Sequence, residues 1–202
     1  MKYLLLTLIV IIFYSCKEKR FLTENVKYAA YTWNYNDSTS KYDFYLSHFI
    51  EIYKDGHYSL IKHDVWRGKI AYFKGQIDDS IFQIIDTICL KNTYKQKISI
   101  SDIADTNDII MYCGLSYCLD YKLKGNKNTS IQFIQYKNKY PEKILNLGKI
   151  LDSFIFENRH QYSKSFEVGY FIDNLKKMTS FNLPPPPSLP PTPPNMTLPS
   201  FK

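Results

Sequence analysis

The sequence contains little glycine and none of the short motifs that mark phosphate binding or nucleophilic catalysis. Its 7 glycines are dispersed at predicted turns, so no glycine-rich loop is available to bind a phosphate group. There is neither a Gly-x-Ser-x-Gly nucleophile elbow nor a Cys-x-x-Cys pair. No motif therefore indicates an enzyme, and no cofactor is expected.

A dense run of basic residues is also lacking, although the formal net charge is +7. The lysines are scattered along the chain, and no nucleic-acid-binding module is recognisable. We therefore expect no nucleic-acid partner, and the pattern favours a basic surface that rests against anionic lipid head groups. The aromatic content of 16% argues against disorder over the central part of the chain.

No apolar run at the start of the chain is long enough to cross a bilayer as a helix. The run from Tyr3 to Tyr14 has about 12 residues, against roughly 20 in a membrane-spanning helix. It follows Lys2 and is closed by Ser15 and Cys16. A basic residue, a short apolar stretch and a small residue in this order are typical of an export signal.

The pair Ser15-Cys16 resembles the end of a bacterial lipobox, in which a small residue precedes the cysteine that receives lipid. Phe13 and Tyr14 depart from the usual leucine and small residue, and lipoproteins of the Bacteroidota tolerate such looser boxes. The resemblance implies that Cys16 becomes an acylated N-terminus, since two or more acyl chains anchor a protein stably in the lipid bilayer. It also implies an outer-membrane location. The stretch Lys17–Arg20 is not a run of acidic residues and favours the periplasmic side. An ordinary cleaved secretory signal with an incidental cysteine is the alternative.

The chain divides into four predicted segments. Residues 1–15 form the signal peptide, 16–25 a polar tether, 26–181 a single α+β domain and 182–202 a proline-rich tail. Nine of the 10 prolines lie in the tail. Consecutive prolines exclude helical and ladder hydrogen bonds and favour polyproline II. The tail is a spacer, a ligand for an aromatic groove or a solvated terminus.

Within the domain the predicted order of elements is β-β-(β)-α-β-β-α. Lys54-Asp55-Gly56 is a hairpin signal between two β-prone runs. Asp78 or Asp79 caps the first helix, and Pro141 suits the first turn of the second. The first helix has an apolar stripe at helical spacing, formed by Ile81, Ile84, Ile85 and Ile88. We expect a mainly antiparallel sheet with two helices on one face, which is an α+β fold. Residues 165–181 dock on it as a short helix or strand.

The middle of the chain also carries a resemblance. The stretch Phe49–Tyr58 contains Asp-Gly between two strands, and Tyr72–Ile77 with a following helix continues the pattern. This order resembles a group of small Bacteroidota lipoproteins with uncharacterised domains. Some of those proteins carry a Cys-x-Gly-x-Cys-Pro motif before the first strand, which this chain lacks. The resemblance therefore implies a cell-envelope location and no particular activity.

Lipidation of Cys16 leaves Cys89, Cys113 and Cys118, an odd number of thiols. Cys113 and Cys118 lie on opposite faces of an extended strand, so they form a disulfide only if the chain turns between them. Isolated cysteines in apolar runs are more often buried free thiols. Both outcomes, a bridge and buried thiols, stay open.

Among the four histidines, His48 and His63 are weak candidates for metal ligands. A two-residue Asp55-Gly56 turn sets His48 directly opposite His63, close enough to share a metal ion. A three-residue loop with a bulge sets His48 opposite Lys62 instead. The metal hypothesis therefore depends on the strand register.

Three functions remain compatible with the sequence. The first is a membrane-anchored, non-catalytic binding or assembly module, with an envelope protein or a glycan as its partner. An aromatic surface supplied by the many strand tyrosines and tryptophans is one way to bind such a partner. The second is an envelope metal-binding protein or hydrolase that uses His48 and His63. The third is an immunity lipoprotein that neutralises a toxin.

Overall fold

The computed structural model describes residues 21–64, 68–91, 97–98, 114–125, 128–134, 142–157 and 159–180. These residues form eight strands and three helices. The strands are β1 (Thr23–Asn36), β2 (Lys41–Tyr53), β3 (His57–Asp64), β4 (Lys69–Gln76), β5 (Lys97–Ile98), β6 (Ser116–Leu123), β7 (Thr129–Ile134) and β8 (Gln161–Tyr162). The helices are α1 (Asp79–Lys91), α2 (Glu142–Glu157) and α3 (Gly169–Ser180).

All eight strands belong to one sheet, in the order β5-β7-β6-β1-β2-β3-β4-β8. Seven of them are joined by antiparallel ladders, and the short β5 pairs with β7 in parallel. The α+β class and the mainly antiparallel sheet predicted from the sequence are confirmed. The first strand begins at Thr23, ahead of the predicted start at Val26.

The hairpin between β2 and β3 turns through the three residues Lys54, Asp55 and Gly56. Gly56 has a φ of +80°, a left-handed conformation that glycine adopts without steric penalty. Its amide donates to the carbonyl of Tyr53 at 2.8 Å, and the carboxylate of Asp55 accepts from the amide of His57 at 3.1 Å. This loop sets the register of the ladder, in which His48 pairs with Lys62.

One face of the sheet is covered by α1 and α2. The buried side chains of α1 are Phe82, Ile85 and Cys89, and they pack with α2 and the even-numbered residues of β1 and β2 in the main core. Asp78 precedes α1, and its carbonyl accepts the first helical hydrogen bond, from Phe82 at 3.0 Å. The predicted stripe was wrong at Ile84, which is 45% exposed. The buried face of α1 is centred on Phe82, Ile85 and Cys89, and Ile84 lies outside it.

The opposite face of the sheet carries α3, so the structure has three helices where two were predicted on one face. Phe171 and Leu175 of α3 pack on Ala29, Phe49 and Ile61, among other residues of that face. Trp33 Nε1 donates a hydrogen bond to Thr179 Oγ1 at 3.0 Å. These contacts settle that the segment expected to be a short helix or strand is helical from Gly169 to Ser180.

In the part of the chain that the structure describes, none of the helices combines the length and the apolarity required to span a bilayer. Cys16, Cys113 and the proline-rich tail lie outside the described residues, as does the first half of the predicted tether.

Candidate functional site

His48 lies between the sheet and α2 and takes part in a buried polar network. It is 1% exposed, and its Nε2 atom is 3.0 Å from Asp152 Oδ1. The same carboxylate oxygen accepts a hydrogen bond from Tyr28 Oη at 2.9 Å. Burial, followed by the negative charge of Asp152, raises the pKa of the Tyr28 phenol, so it stays protonated and donates. The network joins β1, β2 and α2 and provides hydrogen-bond partners for the buried Tyr28 and His48.

A second network closes the C-terminal end of α2. The carbonyl of Ile155 accepts from Lys62 Nζ at 2.7 Å and lies 2.9 Å from His160 Nε2. Because a carbonyl only accepts, His160 Nε2 carries the proton, and Nδ1 accepts from Tyr58 Oη at 2.8 Å. Cations and N–H donors suit this position because the last carbonyls of a helix have no partner within it. His160 and Lys62 therefore hold the end of α2 against β3.

His48 and His63 do not form the metal pair that the shorter turn predicts. The register places His48 opposite Lys62, so His63, the next residue, projects from the other face of the sheet. There His63 stacks on Tyr45, with ring centroids 4.6 Å apart. Over the residues placed in the structure, no group of three or more His, Cys, Asp or Glu side chains is arranged to hold a metal ion.

The described cysteines are buried thiols. Cys89 and Cys118 are both free, as expected for isolated cysteines in apolar runs. Burial, with a smaller contribution from the charge of Asp86, raises the pKa of Cys89 to about 12. Burial also raises the pKa of Cys118 well above its ordinary value. Both therefore stay protonated at neutral pH, which removes the thiolate on which cysteine reactivity depends.

Several of the strand aromatics proposed as a binding surface are buried or packed against other rings. Tyr28 and Tyr31 are at most 1% exposed, and Trp33 packs edge-on against Phe44 at 5.1 Å. Tyr53 of β2 is 38% exposed, and the most exposed aromatics are Tyr162 of β8 (79%) and Tyr170 of α3 (84%). Successive side chains of a strand point to opposite faces of the sheet. Because helices pack on both faces, aromatic side chains on either face can be buried.

A row of polar residues crosses the sheet on the face that carries α3. Lys27 of β1 pairs with Asp120 of β6 on one side and with Glu51 of β2 on the other. The ladders continue the row outward in both directions, so that it comprises Ser130, Asp120, Lys27, Glu51, Ser59 and Lys74. The neighbouring row, which holds Ala29 and Phe49, is apolar and lies under α3. The helix thus covers the apolar half of this face. In the other half, which we call the open half, Lys74 is exposed, Lys27 and Glu51 are partly exposed and Ser59 is buried.

Two cavities meet at Lys27 on this open half. One, of about 350 Å³, lies beside the start of α3 and is lined by Lys27, Phe49, Glu51 and the stretch from Glu167 to Phe171. The other, of about 240 Å³, lies toward β6 and includes Asn25, Asp120 and Lys122. We call this surface the Lys27 groove, defined by Asn25, Lys27, Glu51, Asp120, Lys122 and Tyr170.

Both lysines of the groove are paired with an acidic side chain. Lys27 Nζ lies 3.4 Å from Glu51 Oε1 and 5.5 Å from the centroid of the Phe171 ring. The same Glu51 oxygen accepts from Asn25 Nδ2 at 2.7 Å. Lys122 Nζ lies 2.7 Å from Glu24 Oε2, and this hydrogen bond lowers the pKa of Glu24. Four side chains are therefore held in place without a ligand.

Asp120 is the partly buried acid of the groove. Burial raises the pKa of its carboxyl group, and hydrogen bonds from Ser130 and Cys118 oppose the shift. Cys118 Sγ donates to Asp120 Oδ1 at 3.6 Å. A carboxyl group that resists ionisation can both donate and accept hydrogen bonds over a wider pH range than an exposed one.

No motif in the sequence identifies the groove. The signal was the alternation of polar Asn25 and Lys27 with apolar Val26 and Tyr28, and of Glu51 with Ile50 and Ile52. Alternation shows that these residues share faces within their strands. Asp120 comes to lie beside Lys27 because β6 pairs with β1. The two residues are more than 80 positions apart in the sequence, so no local pattern predicts their proximity. Comparison of the chain with protein-family models, with curated proteins and with solved structures finds no match.

Proposed function

We propose that this chain is a cell-envelope lipoprotein anchored through Cys16, and that its folded domain is a non-catalytic binding or assembly module. The Lys27 groove is the surface through which it meets an envelope partner. The anchor rests on the export signal and on the lipobox resemblance at Ser15-Cys16. The resemblance to small Bacteroidota lipoproteins is part of the same proposal.

The observation that carries the binding role is the division of one sheet face into a covered and an open half. An antiparallel sheet commonly leaves one face in water, but here α3 packs on the apolar row and begins beside the polar one, which it contacts through Phe171 and Lys27. By contrast, His48 and His160, which have the side chains most suited to catalysis, contact α2 and its last carbonyls. Both histidines therefore connect the sheet side of the domain to α2 through hydrogen bonds.

Site-specific photo-cross-linking in intact cells tests the binding role. Tyr53 lies on the open half beside Asn25 and is 38% exposed, while Ile84 on the outer side of α1 is 45% exposed and is the matched control. We expect p-benzoylphenylalanine in place of Tyr53 to give a discrete cross-linked product in the envelope fraction, and the same residue in place of Ile84 to give none. Equal products at the two positions, or none at Tyr53, contradict the proposal.

A further inference from the structure

We infer that the Lys27 groove binds a neutral, hydroxyl-rich ligand, an oligosaccharide, with one sugar ring lying against Tyr170. The inference rests on the proposed function and names the class of partner. Three features of the groove carry it: its internally paired charges, its remaining hydrogen-bonding capacity and its exposed aromatic ring.

The charge pattern argues against an ionic ligand. Lys27 is paired with Glu51, and Lys122 with Glu24. Glu167 comes just before α3, whose N-terminal end carries partial positive charge. Each lysine of the groove therefore already has an acidic partner, which weakens its attraction for a phosphate or a carboxylate.

The same side chains keep donors and acceptors for a ligand with hydroxyl groups. An ammonium group has three donors, and a carboxylate accepts about four hydrogen bonds. The pairs described above use only part of this capacity. Across the sheet the donor Lys27 alternates with the acceptors Asp120 and Glu51, and the donors Asn25 and Lys122 pair in the next row. A sugar hydroxyl both donates and accepts, so neighbouring hydroxyls of a sugar match this alternation.

Tyr170 supplies the apolar part of such a site. It is 84% exposed and lines the larger cavity. An amphipathic tyrosine ring offers a face for the C–H side of a sugar ring and a hydroxyl for its edge. The larger cavity, of about 350 Å³, lies at the lower end of the roughly 300–1,000 Å³ that small-molecule sites occupy. The adjoining cavity at Asp120 extends the groove for a second sugar unit.

Titration of the purified full-length chain in detergent with two neutral trisaccharides, maltotriose and chitotriose, tests the inference. We expect at least one of them to bind with a dissociation constant below about 1 mM. Tyr170→Ala should weaken that binding by about tenfold or more, because a lost ring contact removes both stacking and buried area. Tyr162→Ala is the matched control, since Tyr162 is 79% exposed on β8 and lies outside the groove. Its affinity should equal that of the wild type.

Inorganic phosphate serves as the ionic probe and should not displace the trisaccharide. Failure of both trisaccharides to bind, equal affinities of the two tyrosine variants, or displacement by phosphate at an equal concentration overturns the inference. Circular dichroism of each variant shows whether it is folded. Cross-linking from position 53 does not depend on the ligand class. A cross-link without trisaccharide binding therefore overturns the sugar inference alone, whereas the absence of a cross-link counts against the binding function itself.

Discussion

At the scale of single residues, the sheet and helices approach so closely that small changes of volume have large effects. Gly75 of β4 is one such position, because a Cβ atom added there would lie 2.5 Å from Tyr58 Oη. Tyr58 is 6% exposed and donates to His160, so its ring has little freedom to move away. Close packing against Tyr58 therefore limits position 75 to glycine, in addition to the hydrogen bond that fixes Tyr58 itself.

We predict that Gly75→Ala lowers the free energy of unfolding by about 1–3 kcal/mol, the range for overpacking in a well-packed core. Gly169→Ala is the control, because a Cβ atom there meets no heavy atom within 4 Å. Urea denaturation of both variants measures the effect. A loss at Gly75 no larger than at Gly169 would mean that Tyr58 can leave its hydrogen bond with His160 freely.

His160 gives the fold a dependence on pH. Burial lowers the pKa of its imidazole, the carbonyls at the end of α2 oppose this shift, and the charge of Lys62 adds to it. Since the pKa is lower in the folded state, the unfolded chain takes up the proton first as the pH falls. Stability is therefore lost as the pH falls below the ordinary histidine value of about 6.5.

We predict that the loss of stability between pH 7 and about pH 5 is smaller in His160→Gln than in the wild type, because the variant has no imidazole to protonate. Denaturation at a series of pH values measures it. His57→Gln, at a histidine whose side chain is 63% exposed, is the control and should follow the wild type. Identical pH profiles for the wild type and His160→Gln would refute this account of the α2 end.

At the scale of elements, α3 decides which half of the second sheet face is open. Its buried residues Phe171 and Leu175 lie over an apolar row, and it begins at Gly169, beside Lys27 and Glu51. Lys27 and Lys74 lie 5.5 and 5.6 Å from the ring centroids of Phe171 and Phe166, respectively. The helix and the segment before it therefore form one wall of the groove.

We predict that Leu175→Ala destabilises the domain by about 2–5 kcal/mol, the range for truncating a fully buried leucine. Leu175 is 0% exposed, so little water can fill the space that the truncation leaves. Asp173→Ala, at an exposed position of the same helix, should change stability by less than about 0.5 kcal/mol. A loss below about 1 kcal/mol at Leu175 would show that α3 is not part of the cooperative fold.

Elements were predicted well where a local signal specifies them, and less well where packing decides. Asp55-Gly56 predicted the β2–β3 hairpin because glycine is needed at the positive φ. The register could not be predicted, since Asp55-Gly56 suits both a two-residue and a three-residue loop. The structure has the three-residue loop, which places His48 opposite Lys62 and so excludes the histidine pair. Ile84 looked like a core residue by spacing alone, but the helix is rotated by the burial of Phe82 and Cys89. The groove depends on pairing between distant strands, which no local pattern specifies.

At the scale of the whole molecule, the folded α+β body lies in the sequence between Cys16, the proposed site of lipidation, and the proline-rich tail. The described chain begins at Phe21, close to the predicted anchor, and β1 starts at Thr23. Asp86 of α1 accepts hydrogen bonds from the amides of Leu22 and Thr23 at 3.1 and 2.7 Å. The start of the sheet is thereby fastened to α1.

The central claim is that Cys16 holds this binding module at the membrane, and the most direct test is the mass of the mature N-terminus together with detergent partitioning. We predict that the wild-type chain enters the detergent phase and begins at an acylated Cys16, because two or more acyl chains anchor stably. Cys16→Ser should stay unprocessed or be released into the aqueous phase. A wild-type chain that is found in the aqueous phase and begins at another residue would contradict the account.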